Sequence, residues 1–153
     1  MTSLDQPGIV ETTLRRCDGL AMETPAQWGV MTAHQMVQHL SAAMRGASDG
    51  EPLASIPSPM KNPVARFMAL RSGIRWPKSV PTLPQLETKG KPKPDPAGFD
   101  QDLAGLRADL VRFAALDQTA LSPIHPIFGN FTRKDWMLWA YLHADHHLRQ
   151  FGL

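Results

Sequence analysis

Six histidines stand in the 153-residue chain: His34, His39, His125, His143, His146 and His147. His143 and His147 are four residues apart. On a helix that spacing separates them by about 40° around the axis and roughly 6 Å along it, on one face. Two imidazoles so placed can bind a single divalent ion, and a third ligand must then come from another element. His146, three residues after His143, competes for a place in the pair. His39 is the natural third ligand: it follows Gln35 by one turn and lies beside the apolar stripe Met36, Leu40 and Ala43, so it can face the interior. Three neutral imidazoles would hold Zn²⁺, Ni²⁺ or Fe²⁺ and leave a position for water or substrate. A bound water or thiol would lose its proton near neutral pH, because the ion stabilises the anion. The same residues admit a plainer reading. H-x-x-x-H pairs arise by chance in many helices, and the histidines could be hydrogen-bonded core residues of a non-catalytic binding or structural bundle.

Other residues carry weaker signals. His125 opens the segment His125-Pro126-Ile127-Phe128-Gly129. It could line a metal pocket as an acid/base group, but a loop histidine beside proline has ready backbone partners, and the bracing role is preferred. His34 lies five residues before His39, about 140° away around a helix, and is expected to face solvent. Asp145 and Arg149 form an i, i+4 surface pair. Arg149 or Gln150 could supply the outer hydrogen bond that a metal-bound imidazole normally needs. Trp28, Trp136, Trp139 and Tyr141 read as packing residues. The single cysteine, Cys17, can form neither an intramolecular disulfide nor a thiolate cluster. Its place on an apolar stripe implies burial and an inert thiol, so any thiol chemistry needs a thiol from outside the chain.

The elements that must position these groups read as helices. Ile9 to Leu20 carries Ile9, Val10, Leu14, Cys17 and Leu20 at roughly helical spacing and ends at Asp18-Gly19. Thr32 and Gln35 make a capping-box pattern opening a helix to about Ala47. Ala97 to Leu116 gives a third long helix, with Leu103, Leu106, Leu110, Phe113 and Ala114 along one side. Thr132 and Asp135 mark the start of a fourth, running to Gln150. No strand alternation or internal repeat is evident. Ten of the 14 prolines fall between Pro52 and Pro96, which excludes one long helix or a central strand there. Within that stretch, 63–72 is helix-compatible, with Pro63 at the first helical position. The reading is all-α: a four-helix bundle in one domain, 1–153, whose second and third long helices are joined by a long proline-rich crossover over 51–96.

Composition bounds the function. With 42% hydrophobic and 20% charged residues the chain is not disordered over its length. No stretch approaches the roughly 20 apolar residues of a membrane span, and Met1 to Val10 lack a signal-peptide pattern. A soluble cytoplasmic protein, with no membrane partner, is expected. Between Lys61 and Lys93, eight basic residues (Lys61, Arg66, Arg71, Arg75, Lys78, Lys89, Lys91 and Lys93) face one acid, Glu87. That segment carries +7 against −5 for the remainder, which sums to the net charge of +2. It could steer an anionic substrate, though a solvated loop is the preferred reading. Nucleic-acid binding is not expected, since only Phe67 and Trp76 are available there for stacking.

Two segments carry a family resemblance. The first is His125-Pro126-Ile127-Phe128-Gly129-Asn130-Phe131-Thr132, followed by Trp136 and by His143-Ala144-Asp145-His146-His147-Leu148-Arg149-Gln150-Phe151-Gly152. The second is Trp28-Gly29-Val30-Met31-Thr32 leading into Gln35-Met36-Val37-Gln38-His39-Leu40. Together they resemble the DinB-like superfamily, and in particular a bacterial branch known as a domain of unknown function with W-G-x-M and HP-x-FG motifs. The resemblance runs from about Ile9 to Gly152 and implies a four-helix bundle, often a homodimer. It also implies a divalent ion held by His39, His143 and His147, with His146 outside the ligand set. Characterised relatives include S-transferases and isomerases that use low-molecular-weight thiols. The resemblance therefore implies a small thiol and an electrophilic or anionic small molecule as partners, in a thiol-dependent transferase or a metal-assisted hydrolase or isomerase.

Overall fold

The computed structural model of the chain describes residues 1–48, 53–78, 80 and 82–153. Positions 51, 52, 79 and 81 of the expected crossover lie outside the described residues. Among the described residues the chain is mostly helical, with α1 Ile9–Cys17, α2 Ala33–Ser48, α3 Pro63–Arg71, α4 Phe99–Ala115 and α5 Arg133–Gln150.

The helix starts follow the capping chemistry. Thr32 Oγ1 accepts from the Gln35 backbone N–H at 3.2 Å, while Gln35 Oε1 accepts from the Thr32 N–H at 3.1 Å. The same reciprocal pair recurs at α5, where Thr132 Oγ1 accepts from the Asp135 N–H and Asp135 Oδ2 accepts from the Thr132 N–H. Each box satisfies donors that a helix start leaves without intrahelical partners. Asn62 caps α3 by accepting from Val64 and Ala65, with Pro63 at its first position. Two boundaries are tighter than expected. α1 stops at Cys17, where the Asp18-Gly19 turn begins, and α4 starts at Phe99 because Pro96–Gly98 forms a 3₁₀ turn capped by Asp95.

α4 packs on α1 and α2, and α5 packs on α1, α2 and α3. Between them lies a core built around Trp136, Phe113, Met36, Leu40, Leu106, Leu110 and Met137, all 2% exposed or less. α5 meets three helices, so it is buried around most of its circumference, from Trp136 through Leu148. The histidines of its second half are consequently interior groups.

The crossover is anchored rather than loosely solvated. α3 lies against α5 with Leu70 buried. Arg71 pairs with Asp135 of the α5 capping box, and Arg66 donates to the Asn130 carbonyl at 2.8 Å. Further along, Pro84–Leu86 forms a 3₁₀ turn that contacts α2, with Leu83 buried.

One element was not anticipated. Ile124–His125 and Gly129–Asn130 form a two-stranded antiparallel hairpin, with Ile124 opposite Asn130 and His125 opposite Gly129. Strands of two residues are too short to show an alternating pattern. Gly129, at φ +79°, supplies the left-handed backbone the turn requires.

Candidate metal centre

His39 on α2 and His143 and His147 on α5 converge in the interior. Each offers one ring nitrogen, and the three atoms lie within 4.8 Å of one another; among the described residues they could hold a metal ion. His39 Nε2 stands 3.1 Å from His143 Nε2. Ligands at about 2.1 Å from one zinc ion stand roughly 3.0–3.4 Å apart, a separation this pair already has.

The outer ring nitrogens decide which atoms face inward. His39 Nδ1 donates to the Leu86 carbonyl at 3.1 Å, because a carbonyl can only accept. His147 Nδ1 lies 2.9 Å from Gln150 Oε1. The amide of Gln150 is oriented by its other end, where Nε2 donates to the Trp28 carbonyl at 2.8 Å. Oε1 is therefore an acceptor and His147 Nδ1 the donor. In the neutral imidazoles, the Nε2 atoms of His39 and His147 are then bare lone pairs.

Those partners explain sequence features far from the histidines. Gly29 follows Trp28 at φ +79°, and a Cβ there would sit 2.7 Å from Gln150 Nε2. Only glycine meets both conditions, so the Trp28-Gly29 pair braces Gln150 and, through it, His147. The carbonyl of Leu86 comes from the proline-rich crossover, which thereby reaches the site.

His143 is the group without a settled partner. Its Nδ1 is buried and makes no hydrogen bond among the described residues. If its single proton sits on Nδ1, that donor is unpaired and two bare Nε2 atoms face each other at 3.1 Å. If the proton sits on Nε2 and is given to His39, then Nδ1 is an unpaired acceptor. A cation among the Nε2 atoms removes the repulsion between facing lone pairs, and the outer hydrogen bonds of His39 and His147 are of the kind metal-bound histidines make. Protonation is the poorer remedy. Burial holds His39 below the ordinary imidazole range, holds His143 well below it, with the imidazoles of His147 and His39 further opposing its charging, and lowers His147 to about 3. All three are neutral at pH 7, the state that ligates. The donor set therefore fits a divalent ion that accepts imidazole nitrogen.

Aromatic rings enclose the trio. The Trp139 ring centroid is 4.8 Å from that of His143, and Trp76 from the crossover lies 6.3 Å from His143 and 5.9 Å from His146. Trp76 is held by its indole N–H, which donates to the Ala69 carbonyl at 2.7 Å.

The remaining histidines divide. His146 is buried against Trp28, Trp76 and His147, lies outside the converging set, and has an Nδ1 without a hydrogen bond among the described residues. His125 is buried in the hairpin, where its Nδ1 accepts from the Ile127 N–H at 3.1 Å and more weakly from Phe128 at 3.4 Å. The rings of Phe128, Phe131, Trp136 and Trp139 surround it, each within 5.0 Å. That is the bracing role. His34, expected at the surface, is 4% exposed. Its Nε2 meets Asp102 of α4 at 2.8 Å, Gln38 donates to the same carboxylate at 2.7 Å, and Phe99 packs edge-on to the ring. The expectation failed because α2 is covered on two sides: His39 turns toward α5 and His34 toward α4.

Cys17 is fully buried, and burial raises its thiol above the ordinary range, as expected of an inert side chain. Asp145 and Arg149 pair at 2.8 Å, with Arg16 of α1 joining from the other side.

A mostly helical chain with three buried histidines drawn from two helices is the class these observations define. The chain belongs to the family described as Protein of unknown function (DUF1569), which it matches over residues 6–152. No curated protein and no solved structure matches it. Among the described residues, no helix is long and apolar enough to cross a membrane.

Proposed function

We propose that this chain is a divalent-metal-binding protein of the DinB-like kind, in which α1, α2, α4 and α5 act as a four-helix bundle and His39, His143 and His147 hold the ion. The observation that carries this reading is the meeting of Nε2 atoms from helices far apart in sequence. His39 and His147 have their outer nitrogens satisfied, so their Nε2 lone pairs are left bare beside His143. When bound, such an ion would supply Lewis-acid activation of a thiol or water.

The chain's own residues set the conditions for that chemistry. Leu86 and Gln150 fix two imidazoles as neutral donors. Trp76 and Trp139 exclude water from the trio and lower the local dielectric, which strengthens every electrostatic interaction inside. With Cys17 buried, a thiol must arrive as substrate. The reading is therefore a thiol-dependent transferase, or a metal-assisted hydrolase or isomerase, acting on an electrophilic or anionic small molecule. The resemblance adds a homodimer.

The test is an assay of thiol transfer to electrophiles with several bacterial thiols, before and after metal removal, alongside a His143→Ala/His147→Ala variant. Turnover that requires the metal and both histidines supports the reading. Full metal binding with no turnover on any thiol or hydrolysable substrate would favour a non-catalytic bundle.

A further inference from the structure

Two neighbouring recesses share Arg75, Trp76 and Arg149 as walls. The narrower, about 250 Å³, is faced by Leu138, Tyr141, Leu142 and Ile74 and is mainly apolar. The wider, about 590 Å³, adds Trp28 and Lys78. Meeting at those three shared side chains, they set an apolar slot beside a basic, indole-walled cleft, the wider of the two within the range of small-molecule sites.

The charge there is not neutralised. Arg75 and Lys78 are exposed and have no carboxylate partner among the described residues, Lys78 being placed with its Nζ 5.0 Å over the Trp28 ring. Asp145 is the acid at the narrower recess, and its two oxygens are already divided between Arg149 Nε and Arg16 Nη1. The Leu153 main-chain oxygen is taken by Arg16 as well. Two cations therefore face the cleft in excess, and a third, Arg149, is only partly compensated. An apolar slot beside an uncompensated basic cleft selects for a molecule with both characters.

We propose that this paired recess binds a small amphipathic organic anion, its apolar body against Ile74, Tyr141 and Leu142 and its acidic head between Arg75, Lys78 and Arg149. The binding does not require the metal. It rests on the preceding reading only in making this anion the substrate, since Trp76 is also the wall against His143 and His146.

Calorimetric titration of the full chain with octanoate, octanol and acetate tests the inference, with indole fluorescence as a second readout. Octanoate should bind at least tenfold more tightly than either octanol or acetate, and more weakly as salt is raised. Arg75→Ala/Lys78→Ala and, separately, Ile74→Asp should each weaken octanoate at least tenfold. All three positions are exposed, so the variants should retain their helical circular dichroism and their metal content. Octanol binding as well as octanoate, acetate binding as well as octanoate, unchanged affinity in the variants, or no octanoate binding would each overturn the proposal. Repeating the titration on chelator-treated protein separates the two readings. Octanoate binding by a chain that takes up no metal would refute the metal centre alone, and metal uptake without octanoate binding would refute this site alone.

Discussion

His39 Nε2 and His143 Nε2 meet at 3.1 Å across the interface of α2 and α5, although 104 residues separate them in sequence. Two neutral imidazoles at that distance can share one hydrogen bond. With the His39 proton committed to Leu86, that bond has to leave His143 Nδ1 unpaired and buried. His143 Nδ1 is unpaired in either tautomer. What a cation between the rings would relieve is the meeting of bare Nε2 lone pairs, which His39 and His147 present once their Nδ1 protons are committed.

The relay from Trp28 through Gln150 to His147 gives a graded prediction. Gln150→Leu removes the acceptor for His147 Nδ1 and should weaken zinc affinity by about 10–100-fold, the usual effect of losing such a partner. Gln150→Glu keeps an acceptor for His147 while losing the donor to Trp28, and should fall between wild type and Gln150→Leu. Competition against a fluorescent zinc chelator would rank the three. Equal affinities would show that the relay does not act on the ion.

His34 supplies the contrasting case. His34→Ala removes a buried contact to Asp102 and opens space beside Phe99, and should cost about 1–3 kcal/mol in urea denaturation. Metal content should not change, because His34 faces α4 and the trio lies toward α5. Loss of metal in this variant would mean that the two faces of α2 are coupled.

His125 contributes a defined part of the pH dependence of stability. Burial lowers its folded-state value from 6.5 to about 3, so the folded chain keeps it neutral while the unfolded chain binds a proton below about 6.5. Stability therefore rises with pH between these values and is lost as pH falls from the unfolded value toward the folded one. The slope for this one residue is about 1.4 kcal/mol per pH unit in the middle of that interval. His125→Asn keeps an oxygen able to accept from Ile127 and removes the titration. Its stability measured by urea denaturation from pH about 4 to 7 should depend on pH less steeply, by one proton taken up on unfolding. An unchanged slope would show that His125 is already protonated in the folded chain.

Much of the helical framework was legible because it is written in local chemistry. The Thr32/Gln35 and Thr132/Asp135 boxes and the Asn62-Pro63 start each need residues only a few positions apart. The spacing of His143 and His147 is legible for the same reason, and His39 could be placed beside an apolar stripe. What escaped depended on contacts distant in sequence. Leu86 and Trp28 contribute main-chain carbonyls, which no side-chain pattern reveals. His34 was misplaced because burial on a second face depends on where α4 lies. The crossover, read as solvated from its irregular charges, is tied down by Arg71 on Asp135 and carries Trp76 to the histidines.

Whether the three histidines hold an ion is decided by elemental analysis of purified protein against the His143→Ala/His147→Ala variant, after both are exposed to zinc and freed of excess. About one equivalent of metal per chain is expected for the wild type and a near-complete loss in the variant, since one remaining imidazole cannot hold the ion. Equal metal content in the two proteins, or none in either, would contradict the metal centre.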